Sequence, residues 1–314
     1  MKQRTLRLGS RRSPMAIVQS SGVADLITER TGRLVEIVGV TTLGDVNQAQ
    51  VTQIGGTGIF VSALREALLA GEVDLAVHSA KDLPAGPAAG LRLAAVPARD
   101  DPRDALIARD GAKLADLPAG ARIGTGSARR AAQLLALRAD LRCVPIRGNA
   151  GTRLAKVSDG ELDAVVLAYA GLARIGHLAA VTQVFEPEEM LPAPGQGALA
   201  VECRDGDHEL IALLATISDE ASMAAVVAER SLLETLQAGC SSPVGAYAAG
   251  NGQLRMQAVA LSADGARALR AHGTATLADA RALGRDLAAE LLSSGASDLI
   301  SVPQVPTSSG DDAQ

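Results

Sequence analysis

Aromatic residues are nearly absent: two Phe, two Tyr and no Trp among 314 residues. Single-stranded nucleic acid is gripped by stacking bases on aromatic rings, so this scarcity argues against such a partner. Aliphatic side chains must fill the core instead. The length is ample for one, and at roughly 150 residues per domain it favours two or three domains. Cysteine is scarce too. Cys143, Cys203 and Cys240 form no CxxC and no Cys/His cluster, which excludes a disulfide framework and a zinc site and leaves no metal to expect. Their small, odd number suits a reducing, cytoplasmic compartment. Long apolar runs are missing: Met15 to Val18 is too short for a signal peptide, and nothing is long enough to span a membrane. Lysine is the fourth scarcity. Only Lys2, Lys81, Lys113 and Lys156 occur, against 26 Arg. The net charge of −5 points to no nucleic-acid or membrane surface.

Arginine is always charged and grips carboxylate or phosphate with a planar fork, so its placement matters more than its total. Seven Arg (122, 129, 130, 138, 142, 147 and 153) stand in one window whose single acid is Asp140. Arg138 and Arg142 fit a solvated helix face. Arg129 and Arg130 instead open a helix after Gly124-Thr-Gly-Ser127, Arg147 stands at a strand end, and Arg153 lies in the next helix's first turn. Helix starts and strand ends are where an open α/β sheet binds anions.

Strand and helix alternate along most of the chain. Leu6–Leu8 reads as a strand, and Ser13-Pro14 as the cap and first turn of a helix running to about Arg30. Leu34–Thr42 reads as a strand, Gly44–Gly58 as a mobile loop, about Ile59–Ala70 as a helix and Val73–His78 as a buried strand. Strands at Arg122–Gly124, Cys143–Ile146 and Ala164–Leu167 alternate with helices at Ala128–Arg138, Ala150–Val157 and up to about Ile175. This rhythm implies parallel sheets in two similar α/β halves. After the breaker-rich Leu191–Gly197, a strand at Ala198–Glu202 and a long helix at about Glu220–Gln237 follow. Strands at Val244–Tyr247, Leu254–Leu261 and about Leu269–Thr276, then a helix at Leu277–Ser293, make a small α+β domain. The tail from about Pro303 is polar and reads as disordered.

Ser79-Ala80-Lys81-Asp82 follows a buried strand directly. It is either a helix cap with a surface ion pair, or an acid/base carboxylate beside an anion-binding Lys. Cys240, in Gly239-Cys-Ser-Ser-Pro243, has the turn context of a reactive or modified thiol, while Cys143 and Cys203 read as inert core thiols. His78, His177, His208 and His272 form no motif, and His78 reads as a core histidine.

Seven segments in order resemble the porphobilinogen deaminase (hydroxymethylbilane synthase) family: LRLGSRRSP (6–14), VDLAVHSAKDLP (73–84), RDDPRDALI (99–107), IGTGSARR (123–130), IRGNAGTRL (146–154), LPAPGQGALAVECR (191–204) and ERSLLETLQAGCSSPVGAY (229–247). The resemblance implies a transferase that joins four porphobilinogens head-to-tail and releases ammonia at each coupling. The chain grows on a dipyrromethane cofactor held through a thioether, here to Cys240, and hydroxymethylbilane is hydrolysed off. It implies Asp82 as the catalytic carboxylate, and Lys81, Ser127, Arg129, Arg130 and Arg153 as cofactor-holding residues. Arg11, Ser13 and Arg147 would engage substrate, with Gln19 and Gln196 as weaker matches. Phe60 would lie near the substrate pyrrole, or else in the core. Gln53 and Thr57 stand where many relatives have Lys.

The implied fold has two periplasmic-binding-protein-like α/β lobes and a small C-terminal α+β domain: residues 1–98 with 199–217, residues 99–198, and residues 218–314. The family habit is monomeric. The competing reading is a non-enzymatic anion-binding protein of the same two-lobed fold, which leaves Cys240 and Asp82 unexplained. A phosphate-handling enzyme lacks a P-loop here.

Overall fold

The computed structural model describes residues 4–40, 58–239 and 241–300, and the side chains within them except those of residues 58–60. Cys240, most of the expected loop from Gly44 and the tail from Pro303 lie outside the described residues. In chain order, β1 (Leu6–Ser10), α1 (Pro14–Thr31), β2 (Val35–Gly39), α2 (Gly58–Leu69), β3 (Leu75–Ser79), a single 3-10 turn (Ala80–Asp82) and β4 (Leu91–Ala95) come first. Next are β5 (Asp104–Ala108), β6 (Arg122–Thr125), α3 (Ala128–Leu137), β7 (Arg142–Pro145), α4 (Ala150–Ser158), β8 (Ala164–Ala168), α5 (Tyr169–Arg174) and β9 (Gln183–Val184). The described residues end with β10 (Leu199–Arg204), α6 (His208–Ala215), α7 (Glu220–Thr235), β11 (Val244–Ala249), β12 (Gln253–Leu261), β13 (Ala268–Thr276), α8 (Ala280–Ser293) and α9 (Ala296–Ile300).

Local chemistry explains the helix starts. Ser13 accepts a hydrogen bond from the Ala16 N–H at 3.3 Å, and Pro14 occupies the first turn, where an N–H would lack a partner. Asp219 caps α7 in the same way, at 2.7 Å from the Ser222 N–H.

Two five-stranded sheets have matching layouts, β2-β1-β3-β10-β4 and β7-β6-β8-β5-β9. In each, three strands are parallel and a fourth runs antiparallel between the parallel set and the edge. The expected parallel sheets are therefore mixed, each with an antiparallel strand inserted. The antiparallel strands are the ones that cross from one lobe to the other: β5 enters after the crossing at 96–103, and β10 returns after the crossing at 185–198. The βα rhythm reveals neighbours joined by helices, whereas these strands are joined by irregular crossings. β4, β5, β9 and α6 also went unread in the sequence.

The third sheet, β11-β12-β13, is antiparallel and carries α7 and α8 on one face. Its core is mostly Ala and Leu, as the aromatic scarcity requires. Small residues let these layers approach closely. A Cβ at Gly284 would stand 2.1 Å from the Ala228 carbonyl oxygen, so glycine is what allows α8 to lie against α7. Phe185, one of the two Phe, is fully buried in the core of the second lobe. Among the described residues no single helix is long and apolar enough to cross a membrane.

Candidate active site

The carboxyl end of β3 delivers Ser79 and then the turn bearing Lys81 and Asp82. Gln19 on α1 donates to the Ser79 hydroxyl at 3.1 Å and ties that turn to the first helix. The second crossing packs against the turn at Gly195. Its φ is +76°, and a Cβ there would lie 2.9 Å from the Lys81 nitrogen, so only glycine satisfies both the conformation and the contact.

From the other lobe, Ser127 caps α3 by accepting from the Arg130 N–H at 3.4 Å. This places Arg129 and Arg130 in the first turn, 3% and 6% exposed. Both grip one carboxylate that sequence reasoning missed. Arg129 Nη1 lies 2.7 Å from Asp104 Oδ2, and Arg130 donates to Oδ1 from Nε at 2.9 Å, with its Nη2 at 2.8 Å. Arg129 also donates to the Leu191 carbonyl at 2.7 Å and Arg130 to the Val166 carbonyl at 3.0 Å. Gln196 completes the network. Its Nε2 donates to Asp104 at 2.9 Å and to the Pro102 carbonyl at 2.7 Å, while its Oε1 faces Arg130 at 3.4 Å and Lys81 Nζ at 3.5 Å.

The electrostatics follow from burial. Desolvation alone would raise the Asp104 pKa, but Arg129 and Arg130 overcome it and hold it at about 2. Lys81 is pulled down to about 8, first by burial and then by the nearby Arg130. Arg153, whose Nε donates to the Gly148 carbonyl at 2.9 Å, is lowered for the same two reasons.

These side chains line one cavity of about 310 Å³. Lys81, Asp82, Ser127, Arg129, Arg130, Arg153 and Gln196 share it with Gly126, Ala193 and Pro194. The third unit closes it with Leu233, Gly239, Ser242 and Val244, so residues on both sides of Cys240 stand in the wall. Four cations face two carboxylates. Asp104 is committed to Arg129 and Arg130, whereas Asp82 makes no hydrogen bond or ion pair among the described residues. The arrangement suits a polycarboxylate ligand with one uncommitted carboxylate beside it.

The other sequence candidates are placed differently. Ser13 uses its hydroxyl to cap α1, Gln19 holds Ser79, Arg11 is half-buried between β1 and α1, and Arg147 is exposed between β7 and α4. None of these four lines the cavity. Phe60 lies in the first turn of α2, with its side chain outside the described residues. Within the Arg window, Arg122 pairs with Asp163 and Arg138 with Asp140. Arg138 also donates to the Leu114 and Leu117 carbonyls, and Arg142 opens a strand, which corrects the solvated-helix expectation for both.

Arg230 on α7 was unforeseen. It donates to the carbonyls of Leu83 at 3.4 Å and Ala85 at 3.1 Å, just beyond Asp82. The RDDPRDALI segment contains three Asp, and no local signal marks Asp104 as the one to be buried. Cys203 is buried, which pushes its thiol up to about 11, and burial raises Cys143 as well. Among the described residues no cluster of His, Cys, Asp or Glu could hold a metal.

Comparison with known proteins gives the family. The family description "Porphobilinogen deaminase, dipyromethane cofactor binding domain" matches residues 6–212, and "Porphobilinogen deaminase, C-terminal domain" matches residues 223–293. The porphobilinogen deaminase of Thermobifida fusca is 57% identical over 304 residues, covering 94% of this chain and 95% of its own. Porphobilinogen deaminase 1 of Streptomyces coelicolor is 52% identical over 314 residues, covering 96% and 98%. Among solved structures, the periplasmic VFT2 domain of Bordetella pertussis BvgS aligns over 68% of this chain and 86% of its own, with 20% identity and a TM-score of 0.39. That score carries no weight in the assignment, which rests on the two family matches and the two relatives: the chain belongs to the porphobilinogen deaminase family.

Proposed function

We propose that the chain is a hydroxymethylbilane synthase, a transferase of tetrapyrrole biosynthesis. It joins four porphobilinogens head-to-tail, and the linear tetrapyrrole leaves with the uptake of one water. At each coupling a C–N bond breaks, ammonia departs, and a new carbon–carbon bond forms between rings. The observation that carries this reading is the cavity itself. Lys81, Arg129, Arg130 and Arg153 share its wall with Asp82, and Gly239 and Ser242, close to Cys240 in the sequence, line it as well.

The residues present fit a dipyrromethane linked to Cys240. Each pyrrole carries an acetate and a propionate, which suit a wall of Lys and Arg, and Gly239 and Ser242, on either side of Cys240 in the sequence, line the same cavity. When bound, that group supplies the pyrrole carbon on which the chain is extended. Lys81, Ser127, Arg129, Arg130 and Arg153 hold its carboxylates. Arg129 and Arg130 do so from fixed positions, because Asp104 already orients their forks. Asp82 assists departure of the amine and offsets positive charge developing on pyrrole nitrogen. Arg11, Ser13 and Arg147 engage the incoming substrate, with Gln19, Gln196 and Phe60 beside them. Gln19 and Gln196 also support the site through Ser79 and Asp104.

The chain divides into three domains, 1–98 with 199–217, 99–198 and 218–314, a reading that the grouping of the strands into three sheets supports. Hinge motion about the two crossings accommodates the growing chain. Solution scattering of forms carrying different numbers of pyrroles tests this, and unchanged profiles count against it. The enzyme acts as a cytoplasmic monomer, which light scattering on the purified protein checks.

The intact mass of the purified protein separates this reading from a non-enzymatic anion-binding protein. An excess equal to a dipyrromethane, mapped to the Cys240 peptide and absent from Cys240→Ala, is expected. A bare polypeptide mass in a folded, active sample overturns it.

A further inference from the structure

Glu202 is a buried carboxylate that the proposed chemistry does not use. It lies on β10, 4% exposed, in the apolar layer between the first sheet and α2. A charge so placed demands partners. Arg65 of α2 supplies a two-point grip, Nε to Oε2 at 3.0 Å and Nη2 to Oε1 at 2.8 Å. His78 of β3 brings Nε2 to 3.3 Å from Oε2. The Arg230 guanidinium of α7 also feels this carboxylate's charge. Burial would raise the Glu202 carboxyl, yet the His78 and Arg65 side chains hold it at about 2.

Each partner belongs to an element that carries part of the site. α2 bears Phe60 in its first turn. His78 is followed at once by Ser79 and the Lys81–Asp82 turn. Arg230 holds the carbonyls of Leu83 and Ala85 on the far side of that turn, and α7 leads towards Cys240. We propose that Glu202, acting through Arg65 and His78, is a positioning residue that fixes α2 and the Lys81–Asp82 turn relative to each other. The inference rests on the function proposed above and adds residues that touch neither cavity nor ligand.

Glu202→Gln keeps the side-chain shape but removes the charge and one acceptor from the Arg65 fork. Hydrogen exchange of the α2 amides (61–69) should accelerate about tenfold, the scale of a lost hydrogen bond to a charged group. Amides of β6 and β8 should not change. kcat should fall by a similar factor, with KM for porphobilinogen and the mass adduct at Cys240 retained. Arg65→Lys keeps the charge but not the fork, so it should show the same pattern more weakly, which covers the case of a poorly folding Glu202→Gln. Pairing Arg65→Met with Glu202→Gln should recover thermal stability but not kcat, whereas a purely structural role would restore both together. Wild-type α2 exchange and kcat in Glu202→Gln overturn the proposal, as does a kcat loss that simply follows loss of the adduct. If the wild-type protein carries no adduct and makes no tetrapyrrole, the function proposed above falls, while the exchange measurement still decides whether Glu202 holds α2.

Discussion

Glu229→Ala should destroy the cooperative fold. Glu229 on α7 is fully buried and accepts four hydrogen bonds. Its Oε1 takes Arg99 Nη1 at 2.6 Å and the Ala248 N–H at 2.8 Å. Its Oε2 takes Arg99 Nη2 at 3.1 Å and the Gly195 N–H at 2.5 Å. Arg99 lies in the first crossing, Gly195 in the second and Ala248 in β11, so one carboxylate joins both crossings to the third sheet. The Arg99 side chain is only 8% exposed. Its Nε donates to the Gln196 carbonyl at 2.8 Å, and its guanidinium stands 5.3 Å from the Tyr247 ring centre.

Breaking a buried pair from one side costs about 3–5 kcal/mol. The orphaned Gly195 and Ala248 amides add about 1–3 kcal/mol each. Together these rival the whole net stability of a typical domain, about 5–15 kcal/mol. Glu229→Gln keeps the volume and one acceptor oxygen, so it should retain a transition with a lowered urea midpoint. Arg99→Met combined with Glu229→Gln removes the stranded charge and should be more stable than Glu229→Gln alone. Far-ultraviolet circular dichroism is the suitable probe, since the chain has no Trp and only two Tyr. A Glu229→Gln midpoint equal to wild type, or a double variant less stable than that single one, refutes the argument.

Asp82→Ala should keep its melting temperature, because the carboxylate bonds to no described residue, yet lose at least about 100-fold in kcat, the low end of general acid–base contributions. Tetrapyrrole formation at the wild-type rate would exclude the assigned role. Lys81, at about 8 rather than 10.5, loses its charge as pH rises through about 8. In the cofactor-free Cys240→Ala protein the cavity then holds carboxylates less well, so the Kd for a small tetracarboxylate measured by calorimetry should climb across that pH, whereas Lys81→Arg in the same background stays charged and should give a flat profile. A climb of equal size in Lys81→Arg assigns the titration elsewhere. Asp104, held at about 2 against a usual 3.8, contributes stability that is fully present above about pH 4 and lost as pH falls through about 2. Acid unfolding of Asp104→Asn should lack that slope, although the variant is weaker at neutral pH because Arg129 and Arg130 lose their partner. An unchanged slope between pH 4 and 2 counts against the assignment.

What the sequence could reveal follows the range of the interactions. Caps such as Ser13, Ser127 and Asp219 act within three residues, and each marks a helix start that the structure contains. β5 defeats the same reading. All five of its residues are buried, so no alternation marks a face, and its antiparallel pairing with β8 joins residues some sixty positions apart. The cavity divides in the same way. Lys81, Asp82, Ser127, Arg129, Arg130 and Arg153 stand at strand ends and helix starts, where local pattern finds them, and the structure brings them to one wall. Asp104 lies 25 positions from Arg129, in a segment where Asp100 and Asp101 look equally eligible. Its absence from the sequence reading changes the electrostatics, not merely the inventory. An arginine window with one acid reads as free positive charge, but Asp104 takes up the inner edges of two of its forks. Arg129 and Arg130 therefore act as fixed dipoles with their orientation settled before any ligand arrives. The charge left for a ligand's carboxylates falls chiefly to Lys81 and Arg153; Arg153 stays charged, whereas burial has already made Lys81 less willing to stay protonated without an anion beside it.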